Sequence, residues 1–284
     1  MSNSAHEQEW ESEIKSEDSL LSINLKEVWQ YRDLLLMLVK RDYISTYKQT
    51  ILGPIWFFVQ PILTMIIYVV LFGQVAKLST DGTPQIVFYL SGIIVWNYFS
   101  ESLTKTSSVF RDNAAIFGKV YFPRLIMPLS IVVSALMKFF IQFTLFIAAV
   151  CYYTFQGSIH PNLWILATPL LLLLMSGFSL GLGMIFSSLT TKYKDLVFLL
   201  TFGIQLYMYA TPVVYSLTSI PEKYRWIVMA NPLTGIFECF RFAYLGSGSF
   251  NPSSLLLSTG IIFVLLVAGI VIFNKVEKSF MDTV

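Results

Sequence analysis

The chain has 284 residues, of which 55% are hydrophobic and 13% charged, and its mean hydropathy is +0.66. Such a composition excludes a water-soluble globular body, because it matches lipid rather than water as the main solvent. The net charge of +2 averages an acidic N-terminal stretch against basic loops, so it excludes little until the charges are placed along the chain.

The first residues carry Glu7, Glu9, Glu11, Glu13, Glu17 and Asp18 against Lys15 and have no apolar core. That pattern is unlike a secretory signal peptide and predicts a disordered cytoplasmic tail over 1–24, followed by a single transmembrane domain over 25–284. Leu25, Val28, Trp29, Leu36, Val39 and Tyr43 then recur at helical spacing, interrupted by Lys26, Glu27, Asp33, Lys40 and Arg41. This predicts an amphipathic helix lying along the inner leaflet. Gly53-Pro54 breaks it and opens the next helix, since proline at a first helical position loses no hydrogen bond.

A helix needs about 20 apolar residues to cross the hydrocarbon core. Gln49 to Ala76 and Phe139 to Thr191 contain no Asp, Glu, Lys or Arg, and similar runs lie further along the chain. Spans are predicted near 53–73, 85–107, 124–153, 162–189, 195–215 and 253–274, giving an all-α membrane protein with six transmembrane helices. With the N-terminus inside, fourteen Lys and Arg fall on the cytoplasmic side. Lys77, Lys223, Arg225 and Arg241 fall outside, and Lys138 lies within a span. This positive-inside bias predicts cytoplasmic termini. In the fourth span Gly177, Gly181, Gly183 and Ser187 predict close approach of a neighbouring helix.

The outer segment from Ser216 to Gly248 is too apolar for an ordinary loop yet carries Glu222, Lys223, Arg225, Glu238 and Arg241. Asn231 can cap a helix, Pro232 suits its first turn and Gly246 can end it after about 14 residues, or about 21 Å. Two short re-entrant or interfacial outer helices are predicted, with Glu238 and Arg241 as an oppositely charged pair at i, i+3.

The chain has no G-x-x-x-x-G-K-[ST], H-E-x-x-H or G-x-S-x-G, and its two histidines are His6 and His160, so no catalytic residue and no metal site is predicted. Cys151 and Cys239 have no ligand or redox spacing and read as buried, unpaired thiols. Glu101 and Lys138 fall inside spans, where they pair across helices, face pore water, contact a polar cargo or snorkel. Trp56, Phe57, Trp96, Tyr98, Phe99, Phe202, Tyr207 and Tyr209 read as interfacial belts or core, or as rings that stack on the C–H faces of sugars along a path.

Arg41-Asp42-Tyr43 with the run Tyr47 to Trp56 resembles the opening of the polysaccharide-exporting ABC permeases of O-antigen, capsule and teichoic acid. The resemblance continues through Lys119-Val120-Tyr121-Phe122-Pro123-Arg124, Lys192-Tyr193-Lys194-Asp195, Thr211-Pro212-Val213-Val214-Tyr215, Asn231 to Gly235, Glu238 and Phe240-Arg241, and so covers nearly all the chain after residue 25. Thr46 stands where an arginine is expected, and Lys138 where an acidic residue is common. The resemblance implies a homodimeric channel in the bacterial inner membrane that moves a lipid-linked glycan outward. Two separate nucleotide-binding subunits beneath it would hold ATP and Mg, with no cofactor in this chain and no nucleic-acid partner. It makes Arg111, Asp112, Asn113, Lys119, Phe122 and Arg124 the cytoplasmic coupling helix, over 111–120, and its flank, with Glu238 and Arg241 at an outer gate. An ABC exporter permease for drugs or lipids, or a membrane enzyme or scaffold, are the alternative readings.

Overall fold

A computed structural model of the chain describes residues 25–48, 50–117, 122–248 and 250–281. Among the described residues all regular structure is helical. Helices α1 (Leu25–Gln30) and α2 (Arg32–Tyr47) are separated by a break at Tyr31. α3 (Trp56–Tyr68) is entered through a 3-10 turn at Gly53–Ile55 and leaves through a π-helical turn at Val69–Val75. α4 (Gln85–Thr106) leads into two single turns, α5 (Val109–Asp112) and α6 (Ala114–Phe117). α7 (Ile126–Phe155), α8 (Thr168–Thr190) and α9 (Leu196–Ala210) follow, then the short α10 (Glu222–Met229) and α11 (Pro232–Leu245), and finally α12 (Pro252–Met281). The acidic tail expected over 1–24 lies outside the described residues.

Among the described residues, five helical stretches are long and apolar enough to cross a membrane: Gly53–Val75, Gln85–Thr106, Ile126–Phe155, Leu163–Thr190 and Pro252–Val276. The fifth in chain order of the six expected spans is shorter. α9 has 15 residues, which at 1.5 Å each is about 22 Å against a core of about 30 Å. Its end has a local cause. Thr211 precedes Pro212 and adopts φ −108°, ψ 142°, the extended conformation that a following proline ring enforces.

The spans divide by environment. α4 is surrounded by protein and holds the largest share of the main core, from Val87 to Leu103, so its Asn97, Tyr98 and Glu101 find partners on neighbouring helices. Gly53–Val75 and Pro252–Val276 show the reverse, with only 11% and 17% of their most apolar windows buried. Their side chains are left largely uncovered by the rest of the chain.

Small residues on α8 bring two neighbours to backbone range. A Cβ on Gly181 would lie 2.8 Å from the Leu265 carbonyl of α12, and Gly269 faces Gly181 in return. A Cβ on Gly183 would lie 2.6 Å from the Thr106 side chain of α4. The glycines therefore serve two contacts, one on each flank. Gly181→Val is expected to lower the apparent melting temperature in detergent by several degrees, since overpacking costs about 1–3 kcal/mol. Gly203→Val, where nothing lies within 4 Å, is expected to leave it unchanged. Equal melting of the two variants would show that the α8–α12 approach is not tight.

A second buried cluster is built from Leu38, Val109, Phe110, Phe117, Phe122, Ile126, Met127, Ile131, Met184 and Phe273. It joins α2, the α5–α6 turns, the start of α7, and α8 with α12. The single coupling helix expected over 111–120 is instead two turns among its described residues, because Asn113 interrupts it. Its side-chain amide donates to the Val109 carbonyl at 3.0 Å, and its backbone lies at φ −116°, ψ 14°.

Candidate functional site

A polar cavity of about 350 Å³ opens where α2, α3, α4 and α7 meet. Thr46 lines it from α2, Trp56, Phe57 and Gln60 from α3, Asn97, Ser100 and Glu101 from α4, and Lys138 and Gln142 from α7. Polar side chains inside spans are costly unless they find partners, and here they do. The Glu101 Oε1 atom accepts from Lys138 and, at 2.7 Å, from Lys105 one turn further along α4. The Lys138 ammonium also lies 5.6 Å from the centre of the Phe57 ring. Asn97 donates to Gln142 at 3.3 Å, leaving the rest of both amides open to the cavity.

One carboxylate thus holds two ammoniums, and the cluster carries a surplus positive charge. Phe57 is buried while Trp56 is 48% exposed, so one ring supports the ion pair and the other offers a face. A ring beside three amides can meet a polyhydroxylated molecule on its apolar and polar sides together. Gln60, Asn97, Ser100 and Gln142 are the members that sequence reasoning missed. Their shared signal is a polar residue within an apolar span, one on α3, two on α4 and one on α7.

The remaining aromatic candidates fall into two groups. Trp96, Tyr98 and Phe99 are buried within the chain. Phe99 stacks on Phe178 at 5.3 Å, Trp96 packs on Phe99 and Tyr207, and the Tyr98 hydroxyl meets Ser176 at 2.6 Å. In this conformation Tyr98 and Phe99 do not reach a surface. Tyr207 is half-buried and donates to Asn231 at 2.6 Å, whereas Phe202 and Tyr209 on α9 are exposed.

At the other end of the helices Arg241 is buried and points into the chain turn after α9. Its guanidinium donates to the carbonyls of Pro212 at 2.7 Å, Tyr215 at 3.2 Å and Val213 at 2.5 Å, and lies 3.9 Å from the Phe88 ring centre. The Val213 carbonyl in turn sits against Gly92 of α4, at a point a side chain there would occupy. Asp81 accepts from Ser216 and Thr218, tying the same turn to the loop before α4. Glu238, one helical turn from Arg241, is also buried. The local signs of α11 hold as read: Asn231 accepts from the Leu233 amide at 2.9 Å, and Gly246 closes the helix at φ 72°. Gly92 and Asp81 were not singled out from the sequence.

In the turns after α4, Arg111 and Asp112 are exposed and paired at 2.9 Å, and Asp112 also accepts from Ser108 at 2.5 Å. Asn113 is partly buried, while Phe122 and Arg124 are buried, Arg124 lying 5.4 Å from the Phe117 ring. Lys119 lies outside the described residues. Of the two cysteines, Cys239 is buried as expected, but Cys151 is exposed. It sits near the C-terminal end of α7.

The ABC-2 type transporter family pattern matches residues 33–245. The O-antigen export system permease protein RfbA of Klebsiella pneumoniae is 33% identical over 252 residues, 88% of this chain and 94% of that protein. A protein of the same name from Myxococcus xanthus is 28% identical over 92% of this chain and 98% of its own length. The polysialic acid transport protein KpsM of Escherichia coli is 22% identical over 86% and 93%. A helical, multi-pass chain matched over that extent belongs to the ABC-2 type transporter family, as a membrane permease subunit and not as an ATPase.

Proposed function

We propose that this permease exports an O-antigen-like, lipid-linked polysaccharide across the bacterial inner membrane, as a homodimer driven by two separate ATPase subunits. The observation that carries this reading is the cavity among α2, α3, α4 and α7, in which Trp56 stands beside Gln60, Asn97 and Gln142. Glycans offer apolar ring faces and many hydroxyls, and a path that moves repeat after repeat does better with stacking rings and amides than with a tight charged grip. The relatives named for export of O-antigen and polysialic acid support the same cargo class. The exposed rings of Trp56, Phe202 and Tyr209 extend the path along α3 and α9. Trp96, Phe57, Tyr98, Phe99 and Tyr207 frame it from behind or enter it when the helices part.

In this reading α9 completes a sixth crossing together with the turn after Thr211, both termini are cytoplasmic, and 25–284 is one domain. α1 and α2 lie at the inner leaflet, while α10 and α11 re-enter from outside as a gate closed by Glu238 and Arg241. The exposed apolar faces of Gly53–Val75 and Pro252–Val276 are available to a second copy and to lipid. Arg111, Asp112, Asn113, Lys119, Phe122 and Arg124 form the surface and support for ATPase coupling.

Two measurements test this. In cells lacking the native gene, Trp56→Ala and Gln60→Ala are expected to reduce export about fivefold each, the scale of about 1 kcal/mol per lost ring or amide contact. Lipid-linked polymer should accumulate inside, with protein level and ATPase co-purification unchanged. Normal export by both variants places the path elsewhere. Cysteines at Ser158 and Ser219, both exposed, are expected to react with an impermeant thiol reagent from outside. Reaction only from the cytoplasm reverses the orientation.

A further inference from the structure

The described residues just after α4 are joined to α8 in a way that the fold alone does not require. A carbonyl at the end of one helix and an amide in the first turn of the next have no helical partners and must find others. Here both are completed by α8. Thr190 Oγ1 donates to the Ser107 carbonyl at 2.9 Å, and the Phe110 amide donates to Ser187 Oγ at 3.3 Å. Ser187 and Thr190 are buried, so water does not substitute for them. One turn higher, Thr106 fills the space left by the missing side chain of Gly183.

The same segment is joined to α12. Phe110 stacks on Phe273 with ring centres 4.4 Å apart and planes at 22°, and both rings are fully buried. α8 and α12 are themselves in backbone contact at Gly181 and Gly269. α3 and α9 are held far more lightly. The buried residues of α3 are Phe57 and Pro61, and those of α9 are Leu200 and Ile204.

We infer that Ser187 and Thr190 are positioning residues that fasten the segment 107–117 to α4, α8 and α12 as one body, so that the ATPase stroke shifts these three helices together against α3 and α9. Packed interfaces switch between discrete arrangements and do not stretch, so a push on Arg111 and Asp112 is delivered to the spans only if this joint does not yield. The inference rests on the reading of 107–117 as the ATPase-facing surface.

The test uses the intact permease–ATPase complex in native membranes. Ser187→Ala combined with Thr190→Val is expected to lower export per ATP hydrolysed by about tenfold, the scale of a coupling free energy between sites. Hydrolysis and co-purification should persist, and Ser187→Thr with Thr190→Ser should restore the ratio, which a merely structural defect would not predict. A second variant carries Ser107→Cys and Thr190→Cys in a Cys151→Ser, Cys239→Ala background. Unbridged, it should couple poorly because the Thr190 hydroxyl is gone, and bridging its two thiols with a short bifunctional reagent is expected to raise export per ATP, because the covalent link replaces the lost hydrogen bond.

Export per ATP that stays the same or falls on bridging, with hydrolysis retained, overturns the inference, and so does unchanged coupling in the Ser187→Ala, Thr190→Val variant. A photo-crosslinker on Arg111→Cys separates this from the reading beneath it. Capture of the ATPase upholds that reading whatever the joint does, and failure to capture it overturns both.

Discussion

Arg241→Met is expected to destabilise the folded permease by roughly 3–5 kcal/mol, the range for stranding the partners of a buried charged group. The guanidinium is the shared donor for the carbonyls of Pro212, Val213 and Tyr215, in a turn whose backbone runs out of helix at Thr211. Methionine fills similar space but donates nothing, so these carbonyls lose their donor where water does not readily enter. The Phe88 ring also loses a cation 3.9 Å from its centre. In detergent the apparent melting temperature should fall by roughly 10 °C, at a few degrees per kcal/mol for a chain of this size. Arg241→Lys should recover little of it, because one ammonium cannot reproduce the planar fork of donors. A fall of under about 2 °C for Arg241→Met would show that the turn after α9 is held by other contacts, such as those from Asp81 to Ser216 and Thr218.

The contrast between the two ends of α11 and the cavity explains what was legible in the sequence. Asn231-Pro232 and Gly246 act on their own neighbours: a side-chain oxygen accepts an amide two residues on, and a glycine takes a positive φ. Such chemistry is complete within a few residues, so the bounds of α11 could be read directly. α9 was read too long because Val213, Val214 and Tyr215 continue the apolar run, and hydropathy does not register that Pro212 has already turned Thr211 extended. Asn113 is the same lesson after α4, where one amide divides a stretch that the family resemblance made a single helix.

The cavity is a different kind of feature. Gln60, Asn97 and Gln142 lie on separate helices, and nothing in their spacing along the chain reports that α3, α4 and α7 converge there. Glu101 and Lys138 were set side by side from the sequence because depth is countable from the span ends, and because isolated charges in lipid need partners. Lys105 was counted among the cytoplasmic basic residues and so was not weighed as a second partner. Whether an aromatic ring in a span faces a path or a core depends on the helix's rotation, which explains why Tyr98 and Phe99 turn inward while Phe202 and Tyr209 remain exposed.

The shared carboxylate of Glu101 makes the charge cluster asymmetric, and single substitutions should show it. Lys138→Met removes one ammonium and leaves Glu101 paired with Lys105 at 2.7 Å, so a loss of about 1 kcal/mol is expected. Glu101→Gln removes the only carboxylate that lines the cavity among the described residues, and leaves Lys138, 11% exposed, facing Lys105 with no counter-charge between them. A loss of about 3 kcal/mol or more follows, most of it from stranding Lys138, because Lys105 at 45% exposure can turn to water. The double variant Glu101→Gln, Lys138→Met removes both buried charges and should recover a good part of that loss, giving a coupling energy of at least about 1 kcal/mol. Strictly additive melting shifts would mean that the two side chains do not interact in the membrane. Export read on the same three proteins separates the roles left open for these charges. If the pair serves only to close α4 against α7, the double variant regains export along with stability. If the surplus positive charge of the cluster or the carboxylate itself meets the cargo, stability returns while export stays low, since the substituted methionine and glutamine side chains would pack but no longer hold a charged group beside the Trp56 face.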